Sequence, residues 1–346
     1  MKKSIITMTT AGIVMGAAAA SADVTLYGRV LYNAIDDDTA EDLYFGRHEF
    51  AESNIGIKGS KKVGSLTIGG QVEIGLNEGV SSLLQNGSNS RNRIQEATVG
   101  GAFGKVSLGT GASATWVASD VDQSGTWVSD PLGMSQRFGA TRRGPSGQSQ
   151  TPFVQVQSIF SERLRYDSPK IAGGLTFHGQ YGEDSSYELA AKYVGHGVRA
   201  AVWNANFGDA EGDGTQADID GNGTNGFFGA ESGSGLLVGY KIIGINFTVA
   251  AGVADQVTAT GDDNGERSFV NWKLGYTKGK HAVSFSQGNY ESEDAAGTSG
   301  PDHTRSTVAY NYSPAKSVKM WIQITNGETD GEEEFDATAL GIMVKI

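Results

Sequence analysis

From Asp23 onward the sequence is built of stretches of roughly ten residues in which apolar and polar side chains alternate, joined by connections that are in turn very short and long. Period-two alternation places successive side chains on opposite faces of an extended strand, which a helix does not reproduce. Three stretches show it plainly. In one, Leu175, Phe177 and Tyr181 oppose Thr176, His178 and Gln180. In a second, Tyr187, Leu189 and Tyr193 oppose Glu188 and Lys192; in a third, Val318, Met320, Ile322 and Ile324 oppose Lys319, Gln323 and Thr325.

The spacing predicts seven tight turns: Lys61 to Ser65, Ala102 to Lys105, Pro169 to Gly174, Val194 to Gly197, Ile242 to Gly244, Lys278 to Lys280 and Ser313 to Ser317. Gly, Pro, Lys and Ser dominate them, as tight-turn geometry favours. Each turn joins two strands, and Val24 to Ala34 and Ala337 to Ile346 add one at either end, so the expected total is 16 strands. Between the hairpins lie longer, mostly acidic segments: Asp36 to Glu41, Asn206 to Gly233, Ala254 to Glu266, Glu291 to Asp302 and Glu328 to Glu334. An even strand number with short turns on one side and long loops on the other describes an all-β, 16-stranded antiparallel transmembrane β-barrel. A β-sandwich would have to bury its apolar faces between two sheets, which a single pair of sheets this long could hardly do. A β-solenoid would show a fixed repeat, and the sequence has none.

The polar face is too charged to fill a soluble barrel's core. Lys58, Glu73, Arg163, Arg165, Lys192 and Lys273 all lie opposite apolar partners, an arrangement that a water-filled lumen accommodates at little desolvation cost. Tyr181, Tyr193, Trp272, Tyr276, Tyr310 and Tyr312 fall near strand ends, where aromatic girdles meet the lipid headgroups. Residues 1–22 read as a secretory signal peptide, with Lys2 and Lys3, an apolar run from Ile13 to Ala20, and Ala20, Ser21 and Ala22 as the cleavage site. A membrane anchor is the rival reading of this stretch, but its apolar core is short and rich in small residues. Past Ala22 no run approaches a spanning helix, so a membrane can be crossed only by a closed barrel.

Without Lys2 and Lys3 the mature chain, residues 23–346, keeps 25 basic against 39 acidic residues, a net charge of -14. That balance makes nucleic acid a poor partner. The absence of cysteine removes disulfides and thiolate metal sites, so stability rests on the sheet and on its lack of a free edge.

Four segments carry a resemblance to the Gram-negative general diffusion porins, of the betaproteobacterial and neisserial type. Asp23-Val-Thr-Leu-Tyr-Gly-Arg29 resembles that family's first strand, and Ser53-Asn-Ile-Gly-Ile-Lys-Gly59 with the following turn its second. Val99-Gly-Gly-Ala-Phe-Gly-Lys-Val-Ser-Leu-Gly109 is similar to the fourth and fifth strands. Leu164-Arg-Tyr-Asp-Ser-Pro169, leading to Gly173 and Gly174, is the most specific match. The resemblance implies a homotrimer in outer-membrane lipid and lipopolysaccharide, each barrel narrowed by a third loop that folds inward and passes ions and small hydrophilic solutes. Thr110 to Gln150 occupies that loop's place, with Asp120, Asp122 and Asp130 as the acidic side of a constriction. Arg29, Arg91, Arg93, Arg163 and Arg165 are the implied basic wall. Counting by twos puts Arg91 and Arg93 on the face of Ala97 and Val99, and the cost of arginine in lipid assigns that face to the lumen. Three departures stand out: Thr110 and Asn54 where relatives place arginines, and a non-aromatic Ile346 at the end of the last strand.

The mechanism implied needs no cofactor. Opposed Asp and Arg sets would set up a transverse field favouring dipolar solutes. Acidic mouth loops favour mild cation preference; inward arginines act against it. The rivals are a sugar-specific channel and an outer-membrane enzyme. The first needs a line of inward aromatics, for which Trp203, Phe269 and Trp321 are too few and of uncertain phase. The second finds His48, His178, His196, His281 and His303 scattered, with no metalloprotease spacing. Asp218 to Gly223 resembles the start of a calcium loop, but position 12 from Asp218 is Gly229 rather than a bidentate Glu, which favours a plain acidic loop.

Overall fold

The computed structural model describes residues 23–37, 43–46, 53–76, 90–120, 122–127, 160–182, 185–208, 229–257, 263–331 and 334–346. The expected signal peptide, Asp130 and the calcium-like segment lie outside these residues. Among them a single sheet runs through β1 (Asp23–Asp37), β2 (Tyr44–Gly46), β3 (Ser53–Val63), β4 (Leu66–Leu76), β5 (Ser90–Gly101), β6 (Gly104–Ala112), β7 (Phe160–Asp167), β8 (Leu175–Gly182) and β9 (Tyr187–Gly195). It continues through β10 (Val198–Asn206), β11 (Gly229–Ile242), β12 (Ile245–Val257), β13 (Asp263–Lys278), β14 (His281–Glu293), β15 (His303–Ala315), β16 (Val318–Thr329) and β17 (Phe335–Lys345).

Short β2 and long β3 share one edge of β1, Tyr44–Gly46 facing Asn33–Ile35 and Asn54–Ser60 facing Asp23–Arg29, so they form one interrupted strand. The other edge of β1 pairs antiparallel with β17, from Arg29 opposite Lys345 to Asp37 opposite Ala337. The wall is therefore a closed antiparallel barrel of 16 strands. All seven expected tight turns fall between consecutive strands. Two of them put both central residues in the left-handed region, His196 and Gly197 (φ 52° and 79°) and Ile243 and Gly244 (φ 49° and 83°). That backbone twist matches the twist of the paired strands, so a two-residue loop suffices. The long connections are shorter than the acidic runs suggested, because pairing continues into them: β12 extends to Val257 and β11 begins at Gly229. No helix among the described residues is long and apolar enough to cross a membrane.

The wall is inside out compared with a soluble protein. Val202, Leu236, Val238, Phe247, Val270, Leu274, Ile322 and Ile324 are exposed on the outer face, while Asn246, Thr248, Lys273, Ser284, Thr307 and Gln323 are buried on the inner one. Leu237 and Val238 are chain neighbours at 0% and 48% exposure, which shows how sharply the pleat sorts them. Outward Tyr181, Tyr276 and Tyr310 are exposed as the girdle reading expects. Trp272 instead packs among outward aromatics, 5.3 Å from the Phe285 ring and 6.4 Å from that of Phe247. Val238→Arg, in the middle of an outward row, is expected to destabilise the barrel by roughly 2–4 kcal/mol, read as a lower urea midpoint after refolding into lipid vesicles.

Candidate functional site

Beyond Ala112, the last residue of β6, the chain turns into the barrel. Both Arg163 and Arg165 on β7 donate to the Ala112 carbonyl, and Arg163 also donates to the Gly109 carbonyl. Gly111 makes room for this: a Cβ there would lie 2.7 Å from a guanidinium nitrogen of Arg163. Ser113 then caps the short helix α1 (Ala114–Ser119), its hydroxyl accepting from the Trp116 N–H at 3.1 Å. Other free N–H groups of the first turn find acceptors on the wall: that of Ala114 donates to Gln180 at 2.8 Å and that of Thr115 to Glu188 at 2.9 Å.

Past the helix, the segment follows the wall strand by strand. Lys192 on β9 donates to the Val117 and Asp120 carbonyls, both at 2.8 Å, and Lys241 on β11 to the Gln123 carbonyl at 3.1 Å. Lys273 on β13 pairs with Asp122 at 2.9 Å, both side chains almost fully buried. Thr126 shares a hydrogen bond of 2.7 Å with Ser284 on β14. Asn311 on β15 and Lys319 on β16 both donate to the Gly125 carbonyl at 3.1 Å. Trp127 then packs on Leu31, Trp321 and Met343, from β1, β16 and β17. Gln123 also reaches the Gly197 carbonyl in a short turn, and Gly125 sits against Thr277 and Ala282, which flank another. The segment thus lies toward the short-turn end of the lumen and covers the inner wall from β8 round to the seam.

The other part of the wall carries its own charge network. Tyr27 on β1 donates to Glu73 at 2.8 Å and accepts from Gln71 at 2.6 Å. Glu73 pairs with Arg93 at 2.7 Å, and the Arg93 guanidinium lies 4.6 Å from the centre of the Phe160 ring. Lys58 stands over Tyr27 at 5.4 Å. Arg163 pairs with Glu96 at 2.6 Å, while Asp167 collects Arg165, Lys105 and His178 at 3.1, 3.2 and 2.8 Å. The expectation that water would meet the inward charges needs correcting for most of them. Glu73, Arg163, Arg165 and Lys273 are buried and paired, because the inward segment and neighbouring charges occupy the space next to them.

Of the residues singled out from the sequence, Arg93 lies on β5 and Arg163 and Arg165 on β7, and Asp122, within the lumen segment, pairs with Lys273 on β13. Asp120 ends α1 with an exposed side chain, and Arg29 lies on β1 opposite Asn54. Arg91 pairs through its backbone with Gly75, and the segment holding Asp130 is not among the described residues. Counting by twos failed on β5. Val99 is outward although Arg93 is buried inside, because the β4 to β5 register slips between Glu73 and Ile74 and one extra residue reverses the phase. Sequence reasoning passed over Lys241, Lys319 and Trp127, although Lys319 showed its inward phase in the alternation. Trp203, Phe269 and Trp321 prove to be inward, joined by Tyr290, but each of the first three lies over a glycine of a neighbouring strand, Gly235, Gly252 and Gly341. They fill the wall rather than project from it.

At the long-loop end, the Asp294 carboxylate accepts N–H groups from Thr298 and Ala296 at 2.8 and 2.9 Å. The Thr298 backbone bond in particular holds its pKa below the ordinary carboxylate value. The ordering this gives the mouth is present above the usual Asp range and is lost as pH falls through the lowered pKa.

A family model described as Gram-negative porin matches residues 9–332. A search of curated proteins finds no match. Among solved structures, the anion-selective porin from Comamonas acidovorans superposes with a TM-score of 0.65 at 14% identity, covering 94% of this chain and all of that one. Salmonella typhi OmpF in complex with daunomycin gives 0.63 at 17% identity, covering 93% and 97% of the two chains. A loop deletion mutant of OmpT, an outer membrane protein of Vibrio cholerae, gives 0.66 at 15% identity, covering 94% and 99%. At such identities the likeness is one of fold.

Proposed function

The chain belongs to the Gram-negative porins, and from that premise we propose that it acts as a homotrimeric diffusion pore for ions and small hydrophilic solutes. An outer-membrane diffusion porin is what the family and fold make it. The finer reading adds a cleaved signal peptide at residues 1–22, contact with lipopolysaccharide, and a constriction formed by the segment of about 110–150. In that constriction Asp120 and Asp130 face the basic wall residues Arg29, Arg91, Arg93, Arg163 and Arg165, while Asp122 holds the segment to β13 through Lys273. The observation that carries the proposal is a wall apolar outside and polar inside, with a chain segment held within by wall lysines.

Catalysis is not part of this proposal. Thr176, His178 and Asp167 form a hydrogen-bonded series, 3.1 Å from Oγ1 to Nε2 and 2.8 Å from Nδ1 to Oδ1, that imitates a nucleophile, base and acid. Asp167 is also shared with Lys105 and Arg165, and Thr176 donates to the Lys192 carbonyl, so the series ties β7, β8 and β9 together.

Purified protein reconstituted into planar bilayers is expected to give discrete single-channel steps. In Arg163→Gln combined with Arg165→Gln, both conductance and reversal potential in a salt gradient should change. The pair sets wall charge and also holds the Ala112 carbonyl where the segment turns inward. Unchanged values of both would remove these arginines from the neck, and a wild-type protein that carried no current would end the pore reading.

A further inference from the structure

The lumen segment begins and ends differently. At its start it is fixed by arginines and lysines donating to backbone carbonyls, contacts that depend on no particular side chain of the segment. At the end of the described stretch it is fixed by an apolar side chain in an apolar seat. Trp127 packs on Leu31, Trp321 and Met343, three buried residues of β1, β16 and β17. Leu31 and Met343 are direct partners across the strand pair that closes the barrel, and Trp321 lies over Gly341 one strand further on. The seat therefore spans the seam itself.

The approach to the seat is tightly specified. Gly125, two residues before Trp127, adopts φ 82°, and a Cβ there would lie 2.8 Å from Thr277 and 3.0 Å from Ala282. Its carbonyl takes two donors, Asn311 and Lys319, and the Lys319 ammonium also stands 5.9 Å from the centre of the Trp127 ring. One lysine thus holds both the backbone before the indole and the indole's face.

We propose that Trp127 is the positioning residue of the constriction: its seat on the closing seam fixes how far the lumen segment stands from the wall, and so the free cross-section of the pore. This rests on the reading of the segment as the constriction. Solutes need not touch the indole. It acts through the backbone it anchors.

The test compares Trp127→Ala, Trp127→Phe and Met343→Ala in planar bilayers, with folding followed by heat-modifiable migration on gels. Trp127→Ala should raise single-channel conductance ~1.5-fold or more, because a segment released from its seat no longer holds the lumen to its native cross-section, and add open-channel noise; Trp127→Phe should return both toward wild type. Met343→Ala, which hollows the seat without touching the segment, should reproduce the change and keeps the proposal testable if Trp127→Ala fails to fold. A fall in heat stability with conductance and noise unchanged would make the contact merely structural and overturn the proposal. A wild-type protein without current would instead strike the underlying pore reading, leaving no conductance for any variant to alter.

Discussion

Lys273→Met is expected to cost the folded barrel about 3–5 kcal/mol, because it strands a buried carboxylate. In the native protein the Lys273 ammonium and the Asp122 carboxylate meet at 2.9 Å with side chains 0% and 1% exposed. Asp122 accepts one further bond, from the Ser124 N–H at 2.7 Å, which does not neutralise it. An unpaired charge at that depth must take on water or a proton, and either pulls the segment off β13. The combination Lys273→Met with Asp122→Asn should recover most of the loss, since removing both charges removes the desolvation cost as well as the attraction. Urea unfolding of the refolded barrel in lipid vesicles reads the cycle. A single variant as stable as the wild type would mean that the pair is solvated.

Gly341→Val should be as damaging, by a different route. A Cβ at Gly341 would lie 2.0 Å from two atoms of the Trp321 indole and 2.4 Å from the Asn33 side chain, so the ring has to leave the wall. Overpacking of this kind costs typically 1–3 kcal/mol, and eviction of a large aromatic adds to it, since Trp→Ala in a core costs about 3–5 kcal/mol. The site is on the seam itself, Gly341 pairing with Asn33 of β1, so the expected result is little or no heat-modifiable folded protein. Adding Trp321→Ala should make the valine tolerable, giving a double variant less impaired than the sum of the two singles. Gly235→Val with Trp203→Ala and Gly252→Val with Phe269→Ala apply the same test away from the seam, where the Cβ would meet the ring at 2.2 and 2.5 Å.

The barrel was readable from the chain because its two signals are local. Alternation along a strand needs only that strand, and a turn such as His196 and Gly197 declares itself in a few residues. What failed was anything that depends on two strands at once. The phase of Arg93 turned on a register slip that shows only when β4 is laid beside β5, and the inward aromatics made sense only once Trp321 was seen opposite Gly341. The course of the lumen segment was least legible. Lys192, Lys241 and Lys319 bind carbonyl oxygens, which every residue possesses, so no side-chain pattern in residues 113–127 announces its partners.

The joining of β1 to β17 also sets a condition on how the molecule comes into being. Neighbouring hairpins can zip as soon as they meet, but this last ladder unites stretches from opposite extremes of the polypeptide, the slowest kind of encounter for a chain. Until it forms, two raw rims of unpaired amides stand ready to stick to any passing strand. A half-assembled molecule is thus a hazard to its neighbours, and a copy lacking either extreme would stay one.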